Sequence, residues 1–327
     1  MQNQPHDAVR AELVGRSPGL LRVLDAIEKV ARAPRTTVLV TGESGTGKEL
    51  VARAVHARSA RAHAPFVAVN CSLSTPELFA SELFGHVPGA FTGALPKGHA
   101  GLFAAAEGGT LLFDEIGELA PAVQAQLLRV LQERTYRPVG STSDVPMDVR
   151  LVFATHRDLP QLVSQGTFRE DLWYRLNVAS IHIPPLCERR QDIPDLVHHI
   201  LSRIALEHAV EPLVISPAAI ERLAQRAWPG NVRELAHALE HAAIQAAGRS
   251  IDVEHFEWPR SDPAPAAGGR FVLQVDDLSL ASVERSLIAR VLAESGGNRS
   301  RAARTLGVHR ATLHGKLRAS ARSARTA

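Results

Sequence analysis

Residues 38–49 read Val-Leu-Val-Thr-Gly-Glu-Ser-Gly-Thr-Gly-Lys-Glu, a β-type apolar run that opens into glycines and closes on a lysine. Glycines let successive backbone N–H groups turn inward around phosphate oxygens. The lysine supplies a cation to the β- and γ-phosphates, and the helix that follows offers its N-terminus to the same anion. Gly42, Glu43, Ser44, Gly45, Thr46, Gly47, Lys48 and Glu49 are therefore read as a P-loop, with a plain glycine-rich turn as the bland alternative. Glu49 departs from the usual ending, because it stands where a Ser or Thr hydroxyl would ligate Mg²⁺, and metal binding leans on other groups. A second stretch supplies them. Gly108-Gly109 precede the apolar run Thr110-Leu111-Leu112-Phe113, which ends in Asp114-Glu115. Two acids at the carboxyl end of a strand suit phosphoanhydride hydrolysis, with Asp114 holding Mg²⁺ and Glu115 polarising the attacking water. The cofactors expected are ATP and Mg²⁺.

Outward from this pair, short β-rich runs alternate with helical stretches: 37–41, 66–69, 110–113, 149–154 and 180–183. That rhythm predicts a parallel α/β sheet. After Pro184-Pro185 the strands stop, and the spacing Ile193/Leu196/Val197/Ile200/Leu201 predicts a small helical subdomain to about Ile251. PRSDPAPAAGGR, residues 259–270, has the composition of an extended connector.

Beyond the connector the charge changes. From Leu278 to Ala327 there are ten basic side chains against two acidic ones, a balance of +8, whereas the whole chain carries +3 and its remainder therefore −5. Val283, Leu287, Ile288, Val291 and Leu292 predict a first helix ending near Gly296-Gly297. A second is expected over about 299–306, and Gly307 permits a tight turn into a third over 310–318, anchored by Leu313 and Leu317. This is helix-turn-helix spacing. Arg299, Arg310, Thr312, His314, Lys316 and Arg318 are donors suited to phosphates and base edges of double-stranded DNA.

Composition excludes several classes. Hydrophobic residues make up 45% of the 327 and charged residues 22%, enough for a buried core and too ordered a balance for wholesale disorder. No window approaches the ~18 uninterrupted apolar residues of a membrane helix. MQNQPHDAVR at the start lacks the apolar core of a secretory leader, so a cytoplasmic protein with no membrane partner is expected. Cys71 and Cys187 are too few for a disulfide framework or a thiolate zinc site. His237 and His241 share a helix face without an evident third ligand, which reads as a solvated face.

Between the two nucleotide motifs lies GAFTGA, residues 89–94, preceded by SELFGH at 81–86; FREDLWYRLNV follows at 168–178 and WPGNVREL at 228–235. On these motifs the chain resembles bacterial enhancer-binding proteins, the sigma-54-dependent AAA+ transcriptional activators. The likeness spans essentially residues 12–258, and the segment 297–318 is similar to the Fis-type helix-turn-helix that ends the same family. It implies a AAA+ P-loop NTPase α/β fold with a helical lid plus a small all-α module. The corresponding parts are an ATPase subdomain (1–183), a lid (184–258), a flexible linker (259–277) and a DNA-binding domain (278–327).

The resemblance also implies roles. Asn70 would couple to Glu115 and report nucleotide state. Arg169 and Arg175 would reach the γ-phosphate of a neighbouring subunit in a homo-oligomeric ring, usually a hexamer, and Arg233 would tie the lid to phosphate. Gly89, Ala90, Phe91, Thr92, Gly93 and Ala94 would engage sigma-54 RNA polymerase, and an exposed Phe between small residues makes little sense as core. Two positions depart from the family: His156 stands where the first sensor carries Asn, and Cys187 stands where Arg is usual. The function implied is an ATP-hydrolysing activator that binds enhancer-like DNA as a dimer or higher oligomer and converts closed sigma-54 complexes to open ones. The alternative is a regulator or repressor of the same ancestry without sigma-54 contact. About a dozen residues precede the ATPase portion, so control is expected from a separate protein, from expression level or from a sensing domain that has been removed.

Overall fold

The computed structural model describes residues 13–72, 75–90, 97–248, 250–258 and 280–294, together with 303, 308, 312, 313 and 316. The chain divides into two compact units, one running to Glu257 and the other starting at Trp258.

The first unit begins with α1 (Pro18–Ala31), whose start is set by Ser17: its Oγ accepts from the Leu20 N–H, and Pro18 occupies the first helical position, where no N–H is needed. There follow β1 (Val38–Thr41), α2 (Lys48–Ala57), β2 (Phe66–Asn70), α3 (Pro76–Phe84), α4 (Leu102–Ala105) and β3 (Thr110–Asp114). Next come α5 (Pro121–Glu133), β4 (Thr135–Tyr136), β5 (Val145–Pro146), β6 (Arg150–Thr155), α6 (Leu159–Ser164), α7 (Glu170–Leu176) and β7 (Ala179–His182). Five strands form one parallel sheet in the order β2-β3-β6-β1-β7. Every residue of β6 is buried, as expected of a strand covered on both faces.

One face carries the aromatic cluster of Phe84, Phe103, Phe113, Tyr136 and Phe153. The other packs α1 and α2 onto the sheet through Leu20, Ile27, Val51, Val55, Val152 and Ile181. The five strands fall on the runs expected from sequence. The antiparallel pair β4 and β5 was not foreseen, since two residues per strand are too few for any alternation to register.

The helical part contains α8 (Ile193–Glu207), α9 (Pro217–Gln225) and α10 (Asn231–Ala246). Its apolar centre includes Trp228, fully buried, whose indole N–H donates to Leu223 O at 2.8 Å. Asp192, also fully buried, joins this part to the start of the chain by accepting from the N–H groups of Arg16 (2.8 Å) and Ser17 (2.7 Å) and from Ser17 Oγ (2.6 Å). Gly15 is required there: at φ 138° its Cβ would fall 2.4 Å from Asp192 Cγ.

In the second unit, α11 (Leu280–Glu294) contributes Ile288 and Val291 to a cluster with Ala303 and Leu313. Thr312 is exposed, and the Lys316 ammonium pairs with the Glu284 carboxylate of α11. Arg299, Arg310, His314 and Arg318, with most of the two helices expected over 299–318, lie outside the described residues. Among the described residues no helix is long and apolar enough to cross a membrane.

Candidate nucleotide site

The loop 42–47 leaves β1 and enters α2 at Lys48, with Gly42, Gly45 and Gly47 at φ 154°, 78° and 104°. Gly45 admits no side chain, because a Cβ would lie 2.3 Å from the Gly230 carbonyl oxygen. That near-contact is part of a seam between loop and lid. The Val232 N–H donates to Gly45 O (3.0 Å), Asn231 Nδ2 to Glu43 Oε2 and Ser44 O (3.0 Å each), and Arg233 to Ser44 Oγ (3.0 Å). Asn231 Oδ1 accepts from the Leu186 N–H at 2.6 Å, and the buried Arg189 guanidinium donates to Thr46 O at 3.0 Å.

Lys48 is 7% exposed, and its ammonium donates to Gly42 O (3.1 Å) and Glu43 O (3.3 Å) while standing 3.5 Å from Glu115 Oε1. Asp114 and Glu115 come from the carboxyl end of β3, two strands away in the sheet. Together they line a cavity of about 610 Å³ with the loop, Asn70, and the lid residues Ile200, Val232 and Arg233. A crevice at the carboxyl ends of parallel strands is where such sheets hold ligands.

The pKa values of the two acids are shifted in opposite directions. Burial, and then the charge of Glu115, raise the Asp114 carboxyl above its ordinary value, against the pull of Lys48. Burial also raises Glu115, but the hydrogen bond from His156 and the Lys48 charge outweigh it and hold the carboxyl below its ordinary value. Glu115 Oε2 accepts from His156 Nδ1 at 2.6 Å and from the His156 N–H at 3.3 Å. Glu49 also lines the cavity, and its carboxylate accepts from Arg53 on the next turn of α2 at 2.6 and 3.0 Å.

Other expected residues are arranged differently. Asn70 Oδ1 accepts from the Ser72 N–H (2.9 Å) and Oγ (2.5 Å), a local turn made possible by a hydroxyl two residues on, while the Glu115 carboxylate is taken by His156. Arg169 forms a two-point ion pair with Asp171 at 2.7 and 3.0 Å, and Arg175 donates to Leu131 O at 3.3 Å. Both are exposed, and neither lines the cavity of its own chain. Gly89 and Ala90 stand at the start of a segment whose ends are clasped by reciprocal backbone bonds between His86 and His99 (2.9 and 3.0 Å). Phe91, Thr92, Gly93 and Ala94 lie outside the described residues. Sequence reasoning missed Asn231, Arg189 and Asp192. WPGNVREL contained the first of these, but an asparagine inside a motif says nothing of the loop it faces.

Comparison with known proteins follows the same division of the chain. The family models that match are the Sigma-54 interaction domain over residues 13–182, the AAA+ ATPase lid domain over 187–265 and the bacterial regulatory protein, Fis family, over 279–319. The transcriptional regulatory protein ZraR of Escherichia coli is 45% identical over 306 residues, covering 93% of this chain and 68% of that protein. The Nif-specific regulatory protein of Azotobacter vinelandii is 47% identical over 298 residues, covering 90% of this chain and 56% of that protein. Among solved structures, NtrX of Brucella abortus in complex with ATP aligns with a TM-score of 0.68 at 35% identity, over 94% of this chain and 69% of that one. Likeness of this extent, carried through the α/β part, the lid and the tail, makes the chain a member of the sigma-54-dependent AAA+ transcriptional regulators with a Fis-type DNA-binding domain.

Proposed function

We propose that the chain is an ATP-hydrolysing transcriptional activator that binds enhancer-like double-stranded DNA through its basic C-terminal module and remodels closed sigma-54 RNA polymerase complexes into open ones. The observation that carries this reading is the convergence of Lys48, Asp114 and Glu115 on one cavity under the lid, in a chain of this family. ATP with Mg²⁺, when bound, supplies the phosphoanhydride that is broken and a charge that neutralises the developing oxyanions. Gly42 to Gly47 orient their backbone toward the phosphates, and Lys48 gives up its carbonyl partners for them. Asp114 holds the cation. Glu115 polarises the attacking water and accepts its proton, and its lowered pKa keeps the carboxyl in the ionised form that can do so.

Arg169 and Arg175 act on the neighbouring subunit in a ring, usually a hexamer, for which their exposure, just before and within α7, suits them. Arg233, bonded to Ser44, and Asn70, at the cavity wall, report the state of the phosphates to lid and sheet. Gly89 to Ala94 carry that state to sigma-54, and Arg299, Arg310, Thr312, His314, Lys316 and Arg318 hold DNA. The working parts are 1–183, 184–258, 259–277 and 278–327, in the cytoplasm. Glu115→Gln should bind ATP normally and hydrolyse it at a small fraction of the wild-type rate, since polarising water matters only in the transition state. Undiminished steady-state turnover in that variant would contradict the assignment.

A further inference from the structure

We propose that an apolar groove at the tip of the lid receives Tyr174 and Val178 of a second copy of this chain, so that each lid grips the neighbour whose arginines complete its site. The inference rests on the ring reading above and adds to it a surface that holds the two halves together.

The groove, of about 390 Å³, lies between the end of α8, the loop 208–214 and the last turns of α10. Val210, Leu213, Val214, Ala243, Ile244 and Ala247 give it an apolar lining. The buried faces of the two helices are spent on the lid's own core, through Leu196, Val197 and Leu201 on α8 and Leu235, Leu239 and Ala242 on α10. The groove is built from what is left over. Val210, Val214 and Ile244 are 51%, 65% and 71% exposed, and Leu206, which lines an adjoining hollow with Val210 and Leu213, is 83% exposed. Single exposed apolar side chains are ordinary, but a run of four around a concave surface marks a docking face. Glu211, Glu240 and His208 line the same groove, so its occupant is apolar with a hydrogen-bond donor at its tip.

The chain carries such a group where a ring brings it. Leu172 and Leu176 take the buried face of α7, which leaves Tyr174 outward at 62% exposed, with Val178 just beyond the helix at 63%. The Tyr174 ring lies 4.6 Å from that of Trp173, and its phenol is a donor for a carboxylate such as Glu211 or Glu240. Position agrees with chemistry. Ile204 and Glu240 line both the groove and the nucleotide cavity, so the two are continuous. Seven residues of α10, about 10 Å, separate Arg233 beside the phosphate loop from Glu240 where the groove begins, and α7 is seven residues long. A neighbour that lays Arg175 against the phosphates therefore brings Tyr174 and Val178 to the groove.

Cross-linking in the full chain tests the contact. With Tyr174→Cys and Ile244→Cys in one chain, a short bifunctional maleimide in the presence of ADP should yield covalent dimers and higher oligomers. Either single variant should yield only what the exposed Cys187 supports. Both positions are exposed, so the substitutions leave the core intact. Independently, Ile244→Asp and Tyr174→Ala should each raise the protein concentration needed for half-maximal ATPase at least about tenfold, a loss that concentrated protein restores. Cross-linking of the double variant no greater than that of the singles, in a preparation that sedimentation shows to be a ring, would overturn the proposal alone. So would Ile244→Asp assembling at the wild-type concentration, or Ile244→Cys cross-linking to added sigma-54 in place of a second copy. A wild type that sediments as a monomer at every concentration and hydrolyses ATP in that form would remove the ring reading and this inference with it.

Discussion

Replacing Asn231 by Ala tests whether the lid and the phosphate loop are one mechanical piece. Asn231 is fully buried, and its amide satisfies three backbone or side-chain groups on two different segments: the Leu186 N–H, Ser44 O and Glu43 Oε2. Alanine leaves the Leu186 donor buried without a partner and the Ser44 acceptor half-buried, at about 1–3 kcal/mol for each. Asn231 also sits at φ 52°, which asparagine tolerates and alanine resists by roughly 1 kcal/mol. The loss expected is about 4 kcal/mol, equivalent to a fall in melting temperature of about 10 °C in a unit of this size. Thermal unfolding without nucleotide, followed by the intrinsic tryptophan fluorescence to which the buried Trp228 contributes, reads it. Arg233→Ala is the control, because its bond to Ser44 Oγ is exposed and its removal should cost less than about 1 kcal/mol. Equal melting of wild type and Asn231→Ala, or equal shifts in the two variants, would refute the reasoning.

If Arg169 completes a neighbour's site, Arg169→Ala should lose ~10³-fold in turnover, and mixing it with Lys48→Ala should restore part of the activity, since some interfaces then hold one intact half from each partner. Additive, inactive mixtures would argue against a shared site. His56 gives a pH prediction: burial lowers its pKa below the ordinary 6.5, with Arg150 and Arg53 adding to the effect against a backbone hydrogen bond involving Ala64. The unfolded chain then takes up a proton that the native state resists, so stability falls as pH drops below 6.5, until the native pKa is passed. His56→Gln should flatten the melting temperature between pH 7 and 5 (about two units spanning the titration); an unchanged slope would show that His56 is not a source of the effect.

The sheet and the phosphate loop were legible because their signals are local. Val38 to Thr41 form a short apolar run, the glycines at 42, 45 and 47 punctuate it, and Asp114-Glu115 end another such run. The partner of Glu115 was not legible, because which strand end points a donor at its carboxylate is a matter of three-dimensional placement: His156 does so, while Asn70 bonds Ser72. His156 was visible in sequence only as a departure from a pattern. Asn231 and Arg189 escaped for a related reason: their bonds run from the lid to a loop more than 140 residues away in the chain, and no periodicity encodes such a contact. The Lys316–Glu284 pair was also unforeseen, and it shows that a basic residue counted as free for DNA also serves the packing of its own module.

The central claim is that the energy of ATP is delivered to sigma-54 through residues 89–94, and capture of purified sigma-54 by the chain tests it most directly. The pull-down is run with no nucleotide, with ADP and with a transition-state mimic of ATP, for wild type and for Thr92→Ala. Wild type should retain sigma-54 only with the mimic. Thr92→Ala should retain none in any state while its ATPase falls only modestly, because Lys48, Asp114, Glu115, Arg169 and Arg175 are untouched. A wild-type chain that hydrolyses ATP and binds DNA yet never captures sigma-54, or a Thr92→Ala chain that captures it as well as wild type, would contradict the account.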